Sequence, residues 1–371
     1  MKIVVLKNNL REGLNIVGKA ISENLNLPIL KNVLIKTHNN KIKLVATNLE
    51  LAITQMVSGK IIENGSITVP FSVLSGIVNN SDSERIDLEL KNNTLLFKTD
   101  NYEASIQGIA EEEFPIIPKI ENTRNYLKIN GGIFKEAMLK VLNSAQISEI
   151  RPEISGVLFD FQISHFKLVT TDSFRLAEKT VFEKEFKTNF QRGFKIIIPL
   201  KMVSEAIKIL KDDGDLNIFI DPNQILFQND DIEIISRLID GNYPDYEQII
   251  PKSFETECIL NREHFSSAIK LVSNFTGKTN DIRIKTKQGQ KTLEVFSTSP
   301  YFGENKYLIP AKIKGENFDV AFNWRYLVDG LKNFNTPDDL IFGVNGEQKP
   351  SILKHPQDSS YFYILMPIKG V

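Results

Sequence analysis

Short apolar runs that alternate with polar residues dominate the chain, and longer amphipathic segments interrupt them at intervals. Runs rich in Ile, Val, Phe and Thr, broken by Asn, Asp and Gly, predict many short β-strands. The strands predicted most clearly cover 42–46, 86–90, 94–98, 157–161, 216–220, 232–238, 293–296 and 361–366. Apolar residues at helical spacing predict a helix over 12–17 that follows an opening strand, and further helices later in the chain.

Two strand-then-helix patterns recur along the chain. The first begins near Leu10, Phe134 and Phe265, and the second follows Pro70, Pro199 and Asn323. The interval of roughly 125 residues is far longer than a solenoid repeat, so each unit can hold its own core. We therefore predict an α+β fold of three similar domains, 1–121, 122–252 and 253–371, each with two helices and mostly antiparallel strands. Three unrelated α+β segments are the alternative.

Composition narrows the class of protein. Hydrophobic residues make up 42% of the chain, which is enough for a sizeable core, and no run is long enough to span a membrane. A single cysteine, Cys258, fits a reducing compartment, so we expect a soluble, cytoplasmic protein. The net charge of −1 shows no global preference for nucleic acid. A DNA partner would therefore need basic residues gathered on one surface, such as Lys201 and Lys208 on the exposed face of a helix.

Residues typical of catalysis are few. The four histidines are scattered, and no metal-ligand spacing or phosphate-binding loop is present, so no cofactor is expected. The stretch 170–176 places Asp172 beside Thr171 and Ser173 at a strand-to-strand turn. Two interpretations remain open: a hydrolase that uses Asp172 with Thr171 or Ser173, or a turn held by these polar side chains.

The last residues of the chain are strongly apolar. The first half of this stretch, from Tyr361 to Leu365, predicts a strand that completes the last sheet. Pro367 interrupts the strand pattern, so we expect the residues from Met366 onward to lie along the surface. Their apolar side chains would then be available to a partner.

Several stretches together resemble the bacterial DNA polymerase III β subunit family, the sliding clamps, over essentially the whole chain. The matching stretches are 27–30, 46–50, 151–152, 156–159, 170–177, 240–246 and Met366-Pro367. The resemblance implies a head-to-tail homodimer in which six domains form a ring around DNA. A ring of this kind is a non-enzymatic processivity factor, and it needs only weak phosphate contacts without sequence preference.

The resemblance also implies residues for DNA and for ring closure. The expected DNA contacts are Asn24, Arg151, Lys201 and Lys208, although Asn24 and Ser72 replace basic residues of relatives. Arg325 is expected as a further contact from its place in the threefold repeat alone. The expected dimer interface joins an edge strand of the first domain to the third domain, through Ala104, Ile106, Leu271 and Val272. Many relatives have a phenylalanine at Ala104, so the dimer is expected to be looser unless Tyr102 or another neighbour compensates.

The resemblance further implies a hydrophobic cleft that binds short peptides of the replicative polymerase, the clamp loader and repair proteins. Its expected residues are Ile154, Thr171, Ser173, Phe174, Arg175, Leu176, Pro244, Ile249, Ile364, Leu365, Met366, Pro367, Ile368 and Lys369. Ser173 and Phe174 differ from the glycine and histidine of some relatives, so the peptide preference is expected to shift. A clamp-like scaffold with weakened ring closure or DNA contact remains an alternative function.

Overall fold

The computed structural model describes residues 1–22, 26–121, 123–287, 289, 291–335 and 338–369. This part of the chain contains six α-helices, and each begins directly after a strand. They are α1 (Lys7–Val17), α2 (Phe71–Asn80), α3 (Gly131–Leu142), α4 (Leu200–Ile209), α5 (Arg262–Val272) and α6 (Trp324–Leu331). None of the described helices is long and apolar enough to cross a membrane.

The strands of the first third are β1 (Lys2–Leu6), β2 (Asn32–His38), β3 (Lys41–Thr47), β4 (Leu51–Val57), β5 (Gly59–Glu63), β6 (Ser66–Pro70), β7 (Arg85–Lys91), β8 (Thr94–Lys98) and β9 (Glu103–Gln107). Those of the middle third are β10 (Leu127–Asn130), β11 (Gly156–Gln162), β12 (His165–Thr171), β13 (Arg175–Phe182), β14 (Phe186–Thr188), β15 (Phe194–Pro199), β16 (Asp215–Asp221), β17 (Gln224–Gln228) and β18 (Ile232–Arg237). The last third contains β19 (Thr256–Asn261), β20 (Asp281–Lys285), β21 (Thr292–Ser299), β22 (Gly303–Gly315), β23 (Asp319–Asn323), β24 (Asp339–Val344), β25 (Ser351–Lys354) and β26 (Tyr361–Leu365).

The same antiparallel pairings recur in each third of the chain. The first strand of each third pairs with the strand after its second helix, as β1–β7, β10–β16 and β19–β24. The second strand pairs with the strand before the second helix, as β2–β6, β11–β15 and β20–β23. In the last third, β22 combines two strands, because its two halves pair with β21 and β19 respectively. The predicted α+β fold of three similar domains is therefore confirmed.

The described chain forms two compact units. The first consists of Met1–Gly132, Phe186–Phe190 and Ser204–Leu238, and the second of Ile133–Glu185, Gln191–Val203 and Ile239–Val371. The first unit contains a sheet in the order β5-β1-β7-β8-β9 and a nine-stranded sheet in which β18 pairs with β4. The second contains a twelve-stranded sheet in which β13 pairs with β26. The two units follow the continuous sheets and do not coincide with the three repeats. They therefore do not test the domain boundaries predicted at 121 and 252, which stay a prediction.

Buried apolar faces hold the helices on these sheets. In α3 the buried residues include Phe134, Met138 and Val141, which recur at helical spacing as the sequence predicts. Helix α1 begins at Lys7, five residues earlier than the predicted start at Glu12. The first turn was missed because Leu6, at the N-cap, supplies no side-chain hydrogen bond and thus no sequence signal for a helix start.

Candidate functional site

A tight turn between β12 and β13 contains the polar residues that suggested catalysis. One carboxylate oxygen of Asp172, Oδ1, accepts hydrogen bonds from the backbone N–H groups of Phe174 and Arg175, each at 3.0 Å. The other, Oδ2, accepts a hydrogen bond from Arg175 Nε at 2.9 Å. Because only 2% of the Asp172 side chain is exposed, its carboxylate has no access to a substrate.

The hydroxyl groups of this turn also bond within the protein. Thr171 Oγ1 donates to the carbonyl of Arg175 at 2.7 Å and accepts from the N–H of Ser173 at 3.1 Å. The hydroxyl of Thr170 donates to the carbonyl of Val141. These bonds contradict the hydrolase alternative, and they confirm the interpretation in which the polar residues hold the turn.

The same turn occurs between β3 and β4. There Asn48 Oδ1 accepts from the N–H groups of Glu50 and Leu51, at 3.0 and 2.8 Å. Leu49 has a φ of 77°, and Ser173, at the matching position, has a φ of 75°. Both non-glycine residues adopt the left-handed conformation, which these side-chain bonds stabilise.

Arg175 joins the turn to helix α6. Its Nη1 lies 2.7 Å from Asp329 Oδ2, and its guanidinium stacks 4.3 Å from the centre of the Tyr326 ring. Burial alone would lower the pKa of Arg175, but Tyr363, Asp329 and Asp172 together raise it above its ordinary value. Arg175 was expected to line the cleft, yet only 12% of its side chain is exposed. Its role is therefore to position the turn.

Apolar and cationic side chains next to this buried network reach the surface. Phe174 is 60% exposed, and its carbonyl accepts a hydrogen bond from the N–H of Met366 at 2.8 Å. Two residues later, the N–H of Ile368 donates to the carbonyl of Ala321, also at 2.8 Å. The half-buried Met366 and Ile368 thus lie in a tail fixed beside the turn, and Lys369 after them is exposed.

Six residues expected to line the cleft are instead buried. They are Ile154, Thr171, Leu176, Ile364, Leu365 and Pro367. Leu176 and Ile364 belong to one core cluster that also contains Tyr246, and Tyr243 and Ile250 pack against it. The connector 240–252 covers this face of β13 and β26, a contact between distant segments that the resemblance does not reveal. In the same connector, Pro244 is half-buried and Ile249 is 44% exposed.

The expected DNA contacts lie on separate elements. Lys201 is exposed in the first turn of α4, and Lys208, in its last turn, pairs with Glu205 at 3.0 Å. Arg325 is exposed on α6, where its Nε donates to Asn280 Oδ1 at 3.3 Å. Arg151 Nη1 donates to Ser173 Oγ at 3.1 Å, which places Arg151 beside the turn. Asn24 lies outside the described residues.

A basic cavity was missed by the sequence analysis. It has a volume of about 590 Å³ and lies in the first unit between α1 and the end of α4. Of the lining residues in the described part of the chain, Arg11, Lys19, Lys208 and Lys211 are basic and Glu12 is acidic. Ser72, which replaces a basic residue of relatives, is exposed on α2. Arg11 lies in the part of α1 that precedes the helix predicted over 12–17, and no DNA contact was expected there.

Two residues expected at the dimer interface are buried in their own domains. Ile106 is 4% and Val272 is 1% exposed, whereas Leu271 is 54% exposed and Ala104 is half-buried. Side chains alternate along β9, so Ile106 points into the core while Glu103, Ser105 and Gln107 are exposed. Accessible contacts on β9 therefore come mainly from these polar residues.

Two strands have an open edge. β9 is the last strand of its sheet and pairs with β8. The first half of β22 pairs with β21, while its pairing with β19 begins only at Ala311. In the described part of the chain, neither strand has a second partner along these residues. Large side chains are exposed near the β22 edge, namely Tyr301, Phe302, Tyr307 and Leu308.

Replacing Arg175 with alanine should lower the free energy of unfolding by about 3–5 kcal/mol, because Asp172 and Asp329 lose their buried partner. Arg175→Lys should recover only part of this loss, since an ammonium cannot form the same planar contacts. Lys332→Ala is the matched control: Lys332 pairs with the same Asp329 at 2.9 Å but is exposed, so the loss should stay below about 1 kcal/mol. Urea unfolding measures all three, and equal losses for Arg175→Ala and Lys332→Ala would contradict the positioning role.

Family models match nearly the whole chain. The models for the N-terminal, central and C-terminal domains of the DNA polymerase III beta subunit match residues 1–118, 128–245 and 247–369. These three matches correspond in order to the three repeats of the fold.

Individual relatives agree with the family models. The chain is 27% identical to the beta sliding clamp of Bacillus subtilis, with 100% of both chains covered. It is 29% identical to that of Staphylococcus epidermidis, with 100% of this chain and 99% of the relative covered. The crystal structure of the Bacillus subtilis DNA polymerase sliding clamp superposes with a TM-score of 0.94 at 26% identity, with both chains covered completely. The chain therefore belongs to the DNA polymerase III beta subunit family, the bacterial beta sliding clamps.

Proposed function

We propose that this protein is a DNA sliding clamp, a non-catalytic processivity factor that encircles duplex DNA and tethers the replicative polymerase. One observation carries the proposal. A strand pairing that joins successive repeats is formed twice within the chain, and the two strands that would form it a third time are left open. Family membership agrees with this function, since the similar proteins are named sliding clamps.

The open edges support closure by a second copy of the chain. β4 pairs with β18, where Ile53 lies opposite Ile234, and β13 pairs with β26, where Ala177 lies opposite Tyr363. By their place in the repeats, the first half of β22 corresponds to β4 and β13, and β9 corresponds to β18 and β26. A partner chain would supply each open strand with its equivalent partner. Two such head-to-tail interfaces close a homodimeric ring of six domains.

The register of the two existing pairings also gives the register of the third. Transferred to the open edges, it places Glu103 of one chain opposite Lys306 of the other, and Tyr102 opposite Tyr307. Opposite charges and aromatic pairs directly across two strands stabilise the pairing. Tyr102 is 47% and Tyr307 is 39% exposed, so both rings have apolar area to bury. This area compensates for the small side chain of Ala104.

Contacts to DNA in this function are electrostatic and independent of base sequence. The cavity formed by Arg11, Lys19, Lys208 and Lys211 would receive phosphate groups, and Lys201 and Arg325 add further positive charge. The whole chain has a net charge of only −1, so the attraction is local. Exchangeable phosphate contacts weaken with added salt and allow the ring to slide.

Partner proteins would bind at the surface formed by Phe174, Met366 and Ile368, with Pro244, Ile249 and Lys369 as further contacts. Phe174 presents a large exposed ring, and the methionine beside it can adapt to different side chains. A shared site for peptides of the polymerase, the clamp loader and repair proteins needs this tolerance. Arg151, beside Ser173, would contribute a cation at the same site. A replication factor of this type acts in the cytoplasm, associated with the nucleoid.

Retention on closed circular DNA tests the proposed function. Once assembled on a nicked circular plasmid, the protein should stay bound during gel filtration and should be released when one restriction cut linearises the plasmid. The expected reason is topological, because a closed ring can leave only over a free end. A clamp-like scaffold without ring closure would leave circular and linear DNA equally fast, and this outcome would contradict the proposal.

Charge reversal tests the register of the interface. Glu103→Lys or Lys306→Glu alone places like charges opposite each other and should cost about 1 kcal/mol at each of two interfaces, so the dimer Kd should rise roughly 30-fold. The double variant restores opposite charges and should return close to the original Kd. Sedimentation over a dilution series measures the Kd, with Glu112→Lys as an exposed control. A double variant whose dimer Kd is higher than that of either single variant would contradict this register.

Truncating Phe174 tests the peptide surface. Phe174→Ala should weaken binding of a polymerase C-terminal peptide about tenfold, because a large exposed ring is lost, and Met366→Ala should act in the same direction. Leu176 is unsuitable for such a test, since it is fully buried and a charge there would disturb the core. Fluorescence anisotropy measures the affinity, and Ile116→Ala, at a residue that is 95% exposed, is the control. Unchanged affinity in Phe174→Ala would place the site elsewhere.

A further inference from the structure

A second apolar surface lies on the five-stranded sheet of the first unit. Val4 and Leu6 of β1 share one face of this sheet with Lys60 and Ile62 of β5, because Val4 pairs with Lys60 and side chains alternate along each strand. Leu6 is 56% and Ile62 is 50% exposed. None of the residues discussed above for DNA, ring closure or the peptide surface belongs to this group.

These side chains border a cavity of about 440 Å³. Val4, Leu6 and Ile62 supply its apolar wall, and Asn9, Ser58 and Gly59 also line it. Sites for small molecules and peptide side chains commonly have volumes in the range of about 300–1,000 Å³. The cavity is therefore large enough for one leucine- or phenylalanine-sized group.

The charged residues of the cavity are all basic. Among the lining residues that the structure describes, only Lys60 and Arg85 are ionisable, and both are exposed. The ammonium group of Lys60 has no hydrogen-bond or ion-pair partner among the described residues. Arg85 Nη2 lies 3.0 Å from Asp87 Oδ1, a pair that is exposed on both sides and thus weak. Asp87 lies on the same face, opposite Val4. The unpaired positive charge beside the apolar wall therefore comes from Lys60, which would attract a carboxylate.

The backbone next to this cavity is also open. β5 is the outermost strand of its sheet, and within the described chain it pairs with β1 alone. An edge strand leaves N–H and C=O groups that can pair with an added strand. A lysine on an edge strand often serves only to prevent aggregation. That role does not account for the cavity, for the exposed Leu6 or for Arg85.

We propose that this surface binds an extended peptide segment of a partner protein in which a bulky apolar residue is flanked by acidic residues. The apolar side chain enters the cavity between Leu6 and Ile62, and the flanking carboxylates meet Lys60 and Arg85. The peptide backbone adds a strand to β5. The complementarity is one of charge and shape, and it depends neither on ring closure nor on DNA.

A peptide selection on the full chain tests this inference. A displayed library of random 12-residue peptides is selected against Phe174→Ala protein, so that binders of the other surface are reduced. The recovered peptides are synthesised, and their Kd values are measured by fluorescence anisotropy. Ile62→Thr retains β propensity and removes the apolar wall, while Lys60→Glu and Arg85→Glu reverse the charge. Lys91→Glu, at an exposed lysine of the same sheet, is the matched control.

The expected result is a set of acidic peptides with one large apolar residue. Their affinity should fall at least tenfold in Ile62→Thr and in either charge reversal, and should stay unchanged in Lys91→Glu. Amide hydrogen exchange over 59–63 should slow on binding, because β5 gains a strand partner. This exchange measurement separates strand addition from occupation of the cavity alone.

Three results would overturn the proposal. Recovered peptides that keep their affinity in all three variants bind elsewhere. Binding without any acidic preference would indicate a purely apolar ligand. A change in the sedimentation of the protein alone on Ile62→Thr would show that β5 contacts a second copy of the chain. The circular-DNA experiment is independent of each of these results, so either proposal can fail without the other.

Discussion

The pairing of strand edges where one repeat meets the next is the constraint on which this molecule depends. Each repeat forms the same antiparallel sheets, and each sheet leaves an edge that would be exposed if the repeat stood alone. The chain pairs these edges by joining one repeat to another, through β4 with β18 and β13 with β26. The interface between domains is thus a continued sheet with a fixed register. For the same reason, the open edges of β9 and β22 are where a second copy of the chain would associate.

A second constraint acts at the turn between β12 and β13. The backbone there enters the left-handed region at Ser173, and the carboxylate of Asp172 stabilises this conformation. Arg175 then connects the carboxylate to Asp329 on α6. The next residue of that helix, Gly330, packs closely on Tyr363, since a Cβ at Gly330 would lie only 2.6 Å from the Tyr363 ring. The polar side chains of the turn form their hydrogen bonds and ion pairs with other groups of the protein. Phe174 is left to project from a rigid base, which lowers the entropy lost when it binds a partner.

Sequence reasoning predicted the repeats, the helix faces and the strands well, because each depends on local periodicity. It also recognised that the polar residues of the turn could be structural. It could not reach features that depend on contacts between distant segments. Leu176 and Ile364 were assigned to the wall of a hydrophobic cleft, and they pack in one core cluster with Tyr246 of the connector. Arg175 looked available in sequence, and its partial burial follows from Asp329 and Tyr326, which lie far along the chain. Ile106 and Val272 were assigned to the interface from the resemblance. Whether each side chain points to the surface or to the core depends on the folded strand or helix that contains it.

Repetition also lets one local structure acquire different uses. The turn at Asn48 and the turn at Asp172 share their bonding pattern and the position of their left-handed residue, yet the first has Leu49 and Glu50 at its tip and the second Ser173 and Phe174. The third copy, between β21 and β22, has Tyr301 and Phe302 instead. Since the side chains at a tip contribute little to holding the turn, they can change without loss of the fold. A fold with three repeats therefore contains three stable turns of this kind. The tip of each turn can evolve to bind its own partner while the other two stay unchanged.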